Sequence, residues 1–395
     1  MPLATGISGF FPSFVVMAIC CAAMTATGLL LIEASLWFEE GAHIHTITSR
    51  ILGPFGKAVA WVLYLFICYA SLVAYVSAGG EQIAGGLSYW AAKSVGPFWG
   101  YVCFVLVFGA VLVFGNRWIG RINALLFAAM VLAYLMLVGV AFDEVKPSFL
   151  AYQQWGLSWI ATPMLLTTFS YQTMVPSLTP YLNRDVRALR SAVIGGNLVT
   201  ILIYSLWQMV MLGIIPVEGE HGLRLALVNI EIPTNVLGAH VTGRWIWAIA
   251  EFFAFFAIAT SFLGISLGLI DFLSDGIHVS EKRWGWVLLL ALVLVPTFLF
   301  VLKFEKIFLS AMDASGGIGD SILNGIMPVL IIWIGRYKRK ISGESLLQGG
   351  KAVLILLMIF FVGTLTVEIL SLTGQINPYY EPYDVIELPG GQIRT

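Results

Sequence analysis

Ten stretches of mostly apolar residues follow one another along the chain, and their number settles what surrounds the folded protein. They run roughly over 10–38, 57–80, 98–116, 122–142, 157–176, 190–214, 244–274, 284–302, 308–335 and 352–373. A helix of about 20 such residues spans the hydrocarbon of a bilayer. Hydrophobic residues make up 59% of the 395 and charged residues only 11%, more apolar surface than a water-soluble domain can hide. The expectation is an all-α polytopic membrane protein whose partner is membrane lipid. Connections are short except Ile215–Gly243 and the tail from Gly374, with no Ser/Gly linker. One transmembrane domain is expected over 1–374, followed by a short extracytoplasmic tail over 375–395.

Several function classes drop out. The net charge of −1 gives no basic footprint, so no nucleic acid is expected as partner. Cys20, Cys21, Cys68 and Cys103 lie inside apolar runs and read as small hydrophobes. His43, His45, His221, His240 and His278 fall in polar segments between runs. No metal or cofactor is therefore expected. Met1–Gly9 has no positive n-region, and the run after it is too long for a cleavable signal.

Lysine and arginine set the orientation. Taking the segments between runs alternately, one set holds Arg50, Lys57, Arg117, Arg121, Arg184, Arg187, Arg190, Lys282, Arg283, Arg336, Lys338, Arg339, Lys340 and Lys351. The other holds only Lys93, Lys146, Arg224, Arg244, Lys303 and Lys306. The richer set is expected on the cytoplasmic side. The first run then travels from outside to inside and Met1 starts outside. A bacterial inner-membrane protein without a signal peptide normally starts inside, so a further helix is expected upstream of Met1. A short translocated stub is the other reading.

One run carries its polar groups and its helix breakers together. Residues 165–182 read LLTTFSYQTMVPSLTPYL. Pro176 and Pro180 each lack an N–H and obstruct the carbonyl four residues back, that of Gln172 in the first case. Main-chain groups freed at membrane depth need other partners, and such backbone persists only where it is buried in protein or lines a cavity. Interrupted helices form substrate sites in secondary transporters, and half-helix ends suit a zwitterion. A plain proline kink, with Ser and Thr hydroxyls bonded back to carbonyls, fits this segment equally well.

Other candidates lie elsewhere. Thr260 and Ser261 sit mid-run beside Gly264 and Gly268, where hydroxyls can ligate a small cation. Tyr64, Tyr69 and Tyr75 punctuate the second run, each either at a substrate or in a structural hydrogen bond. Intramembrane acids are costly and so informative. Glu33 reads either as an acceptor for unpaired N–H groups at a broken helix or as an anchor at the cytoplasmic interface. Glu251 is expected near the outer surface, and Asp271 and Asp275 at the cytoplasmic one. Asp313, Asp320 and Glu368 carry no assigned role. A membrane enzyme or respiratory-chain subunit is the alternative, but it requires a His, Cys or acid cluster at an interface, which is missing. A channel requires charge rings or a repeated filter.

The residues also resemble a known family. PLATGISGFFPS (2–13), LLLIEASLW (29–37), YASLVAYVSAGG (69–80), VPSLTPYL (175–182) and AIATSFLGISLGLIDFLSDG (257–276) resemble the hydroxy/aromatic amino acid permeases, the bacterial tyrosine and tryptophan transporters, most of all the chlamydial-type members. The likeness runs from Met1 to about Ile334. It implies a LeuT-type fold of two inverted five-helix repeats plus an eleventh helix, with most of the first helix missing from this chain. The family's glycine-rich break precedes a proline that resembles Pro2, so Pro2 and Pro176 become repeat-related partners.

It implies cation symport of tyrosine or tryptophan across the bacterial inner membrane. The family's helix-six motif resembles T-S-F-G-F-H; here it reads Thr167, Thr168, Phe169, Ser170, Tyr171 and Gln172. These residues, with Tyr69 and Tyr75, are the expected substrate site, Phe169 lying against the substrate ring. Some proton-coupled members carry a lysine in a stretch resembling L-F-S-A-K, where this chain has Leu126 to Met130 without it. The implied coupling ion is H+ or Na+, with sodium at Thr260 and Ser261. The Ile215–Gly243 segment is the implied outer lid.

Overall fold

The computed structural model describes residues 1–38, 44–91, 93–114, 116–219, 222–229, 233–241, 244–277, 283–304, 308–341 and 343–376. The tail beyond 376, parts of the outer 215–243 segment, and His43, His221 and His278 lie outside the described residues.

Eight helices among the described residues are long and apolar enough to cross a bilayer. In chain order the main elements begin with α1 (Pro2–Gly6), α2 (Phe10–Leu36), α3 (Ile44–Ala91), α4 (Pro97–Val113) and α5 (Asn116–Ala141). Next come α6 (Thr162–Thr168), α7 (Val175–Tyr181), α8 (Val186–Ile214), α9 (Arg244–Ile277) and α10 (Arg283–Lys303). Last are α11 (Ala311–Lys338) and α12 (Gly350–Leu372). The third expected run is the shorter helix α4, of 17 residues. The fifth is split into α6 and α7. The second run reaches further than its apolar stretch, because α3 kinks at Gly53 (φ 79°, ψ −168°) before Pro54 and continues past Glu81 to Ala91.

Lipid-facing helices turn their apolar side chains outward. On α5, Leu125 and Leu132 are 71% and 61% exposed; on α12, Leu356 and Ile359 are 66% and 64% exposed. Inside, one apolar core joins α3, α4, α9 and α10. Tyr64 stacks on Phe272 at 4.0 Å, and Phe104 meets Phe262 edge-on at 5.2 Å. A second core joins α2, α6, α11 and α12 around Met24, Leu165 and Phe361.

Polar contacts tie distant helices. Glu33 and Arg336 form a bidentate pair, Nε to Oε1 at 2.6 Å and Nη2 to Oε2 at 2.5 Å, and the Leu346 N–H donates to Oε2 at 3.0 Å. The reading of Glu33 as an acceptor at the broken helix is thereby corrected: its oxygens are taken by the end of α11 and the residues after it. Glu251 lies toward the Arg244 end of α9, accepting from Gln82 Nε2 at 3.0 Å and from the Thr234 hydroxyl of the 215–243 segment. That segment carries two short helices, Leu223–Val228 and Pro233–His240.

The α11 helix is unusual. Its Ser315–Ile326 stretch is π-helical, as is Ile334–Lys338. π-Helical turns are rare and concentrate at functional sites. A Cβ on Gly316 would lie 1.9 Å from the Pro163 carbonyl oxygen and 2.4 Å from Thr167 Oγ1. Only glycine lets α11 approach α6 this closely.

Candidate functional site

The polar segment is an interrupted helix, and the interruption precedes both prolines. The α6 helix stops at Thr168; Phe169 (φ −105°, ψ 13°) and Tyr171 (φ −141°, ψ −3°) leave helical space, and a 3-10 turn, Gln172–Met174, leads into α7. Pro176 sits in the first turn of α7, where its missing N–H leaves nothing unpaired. Pro180 lies later in the same half-helix. Pro2 likewise opens α1. Among the described residues, the carbonyls of Phe169 and Ser170 accept no backbone hydrogen bond, and the N–H groups of Gln172 and Thr173 donate none.

Side chains hold the break open. Gln172 is fully buried; its Oε1 accepts from the Tyr171 N–H at 3.0 Å, while its Nε2 donates to the Met24 carbonyl at 2.9 Å and to Thr27 Oγ1 at 3.3 Å. The Tyr171 hydroxyl fits against α2 because residue 28 is glycine; a Cβ there would lie 1.9 Å from Oη. The Ser170 hydroxyl donates to Asp320 Oδ1 at 2.6 Å, and that of Thr167 to the Met312 carbonyl at 2.8 Å. The break is thus clamped between α2 and α11.

A cavity of about 410 Å³ opens beside it. This lies within the usual range of small-molecule sites, about 300–1,000 Å³. Thr167, Thr168 and Ser170 line it from the break and Pro2 from α1. Tyr75, Glu81 and Gln82 come from α3, Tyr204 and Trp207 from α8, Phe253, Ile258 and Ser261 from α9, and Thr234 from the outer segment. The α1 helix is held to α8 by Gln208 Nε2, which donates to Thr5 Oγ1 at 2.6 Å. Three hydroxyls of the break and the rings of Tyr75, Tyr204, Trp207 and Phe253 thus line one cavity.

The expected site residues divide. Thr167, Thr168, Ser170 and Tyr75 come together on this cavity. Phe169 is only 2% exposed and packs edge-on to Tyr204 at 5.6 Å, so Tyr204 supplies the cavity ring. Phe169 and Tyr171 border a second cavity, of about 340 Å³, facing α8. Gln172 points to α2. Tyr69 points away, its hydroxyl donating to the Leu292 carbonyl of α10 at 2.7 Å. Tyr75 is six positions further along the helix, which puts the two about 120° apart around α3. Tyr64 is structural, bonded to the Gly268 carbonyl. Thr260 and Ser261 also part: Thr260 Oγ1 donates to the Phe256 and Ala257 carbonyls of its own helix, whereas Ser261 faces the cavity. At this depth a hydroxyl bonds its own helix unless something else is offered.

Sequence reasoning missed Tyr204, Trp207 and Phe253. A signal existed, since Tyr204 and Trp207 are three residues apart on one helical face. Among the described residues no group of three or more His, Cys, Asp or Glu is placed to hold a metal ion.

A model of the tryptophan/tyrosine permease family matches residues 1–368. A tryptophan-specific transport protein of Shigella flexneri is 27% identical over 389 residues, covering 96% of this chain and 92% of its own. Tyrosine-specific transport system 1 of Haemophilus influenzae is 28% identical over 392 residues, covering 98% and 94%. Among solved structures, MhsT in complex with L-phenylalanine superposes with a TM-score of 0.62 at 15% identity, over 94% of this chain and 93% of that one. At that identity the likeness concerns the fold alone, which is of the LeuT type.

Proposed function

The chain belongs to the tryptophan/tyrosine permease family, a family of multi-pass transporters and not of enzymes, and from that premise we propose that it imports tyrosine or tryptophan across the bacterial inner membrane by cation symport. The observation that carries the reading is the interrupted helix opening onto an aromatic-lined cavity. A zwitterion needs donors for its carboxylate and acceptors for its ammonium, and the break offers free N–H and C=O groups within a few residues. The hydroxyls of Thr167, Thr168 and Ser170 add to them. The substrate ring lies toward Tyr75, Tyr204, Trp207 and Phe253, where offset or edge-on contacts contribute about 0.5–1.5 kcal/mol each beyond burial. Substrate and a coupling ion, H+ or Na+, favour closure around the site, and the two inverted repeats rock between outward-open and inward-open states.

The test is uptake of labelled tyrosine and tryptophan by proteoliposomes under imposed proton or sodium gradients. Saturable, gradient-driven uptake of at least one is expected; no uptake of either removes the reading. Tyr204→Ala is expected to raise the half-saturating concentration about tenfold, the equivalent of one lost ring contact at ~1.4 kcal/mol. An unchanged value moves the aromatic subsite elsewhere.

A further inference from the structure

We propose that Asp320, with Asn324 and Ser170, is the seat of the coupling cation, built on α11 behind the broken helix. The inference rests on the reading of the protein as a symporter and gives that activity a residue.

Asp320 and Asn324 are both 0% exposed. Asp320 Oδ1 accepts from Ser170 Oγ at 2.6 Å and from Asn324 Nδ2 at 2.6 Å, and the same Nδ2 lies 3.2 Å from Ser170 Oγ. Two buried atoms are left without a partner, Asp320 Oδ2 and Asn324 Oδ1. As a carboxylate oxygen and an amide oxygen, both are acceptors. Two orphaned acceptors on residues four apart on one helix call for a species that brings positive charge and no lone pair.

Among the described residues no lysine or arginine pairs with Asp320 to supply that charge, and the Met1 amino group is directed at Asp313. The titratable groups that face it from α3 are Cys68 and Tyr75, neither of them a cation. Asp313 on α11 and Glu368 on α12 lie near one another and carry the same sign as Asp320. A lone buried carboxylate is strongly disfavoured in hydrocarbon surroundings. A small monovalent cation answers both needs. It is either a proton on Oδ2 or a sodium ion among oxygen ligands, with the free Phe169 and Ser170 carbonyls of the break close by in the chain.

The position explains coupling. Ser170 lines the substrate cavity and also donates to Asp320. Loading a cation on Asp320 changes the acceptor that holds Ser170, and so changes the wall that meets the substrate. The π-helical path of Ser315–Ile326 carries both Asp320 and Asn324, and Gly316 brings it into contact with α6.

The experiment uses the full chain in proteoliposomes and compares wild type with Asp320→Asn and Asn324→Ala. Three measurements are made: accumulation of labelled tyrosine or tryptophan under a tenfold sodium gradient, the same under a tenfold proton gradient (each about 1.4 kcal/mol of driving force), and substrate-for-substrate exchange without a gradient. In Asp320→Asn the ratio of accumulation to exchange is expected to fall about tenfold in whichever ion arm drives the wild type, because coupling at one-to-one stoichiometry is what a tenfold gradient converts into accumulation. Asn324→Ala is expected to raise the half-saturating concentration of that ion about tenfold. The arm that responds tells sodium from proton. A wild-type ratio in Asp320→Asn, or unaltered ion dependence in Asn324→Ala, overturns the proposal while leaving transport intact. If Asp320→Asn does not fold, Asn324→Ala decides alone. A wild-type protein that transports neither substrate, or does so without either ion, defeats the symport reading and this proposal with it.

Discussion

Arg336→Met is expected to cost the folded protein about 3–5 kcal/mol, because it leaves the Glu33 carboxylate buried without its partner. Glu33 is 3% exposed at its side chain and Arg336 15%, so water screens the pair little. The two belong to α2 and the end of α11, and Glu33 also accepts from the Leu346 N–H. Its loss therefore loosens the C-terminal ends of both helices. The measurement is the thermal midpoint of purified protein in detergent. The double variant Glu33→Leu/Arg336→Met is expected to recover most of the loss, since an apolar pair needs no compensation. If the single variant melts with the wild type, solvent reaches the pair and the tie is superficial.

Gln172→Leu has the second largest expected effect, and it falls on activity as well as stability. Leucine has nearly the same volume but cannot accept from the Tyr171 N–H or donate to the Met24 carbonyl and Thr27. An orphaned buried polar group costs about 1–3 kcal/mol. The Tyr171 N–H is orphaned outright, and the bridge from the break to α2 is gone. Substrate affinity is expected to fall about tenfold to a hundredfold through loss of a pre-set geometry. Titration of substrate-induced thermal stabilisation measures this independently of transport. Undiminished affinity shows that the break is held by Ser170 and the neighbouring helices alone.

The bilayer-spanning runs were legible because hydrophobicity sums over many residues and survives local error. The break was legible in kind, from Ser, Thr and Pro crowded into one run, but not in place. The chain leaves helical space at Phe169–Tyr171, whereas Pro176 reads as the breaker and in fact begins the next half-helix. Proline restricts the residues before it and is comfortable in a first turn, so it marks a start as readily as a stop. Side-chain direction was the weaker part. Tyr69 and Tyr75 share a helix but not a face, and a pattern of tyrosines does not say which face meets the cavity. The long-range pairs were not legible at all: nothing near Glu33 points to Arg336, 303 residues on, and nothing near Ser170 points to Asp320. Such pairs depend on how helices are arranged, which hydropathy does not encode.

The clamp on the broken helix also sets an order of assembly. Its α2 partners, Met24 and Thr27, are made before residues 165–182, but Asp320 is made 150 residues after Ser170. At 5–20 residues per second the ribosome needs about 8–30 s to reach it. The half after the break, seven residues of helix, rises only about 10 Å, far short of the hydrocarbon thickness, so it does not cross the bilayer by itself. The segment is delivered as one apolar stretch, and its opened form matures only when the C-terminal helices arrive.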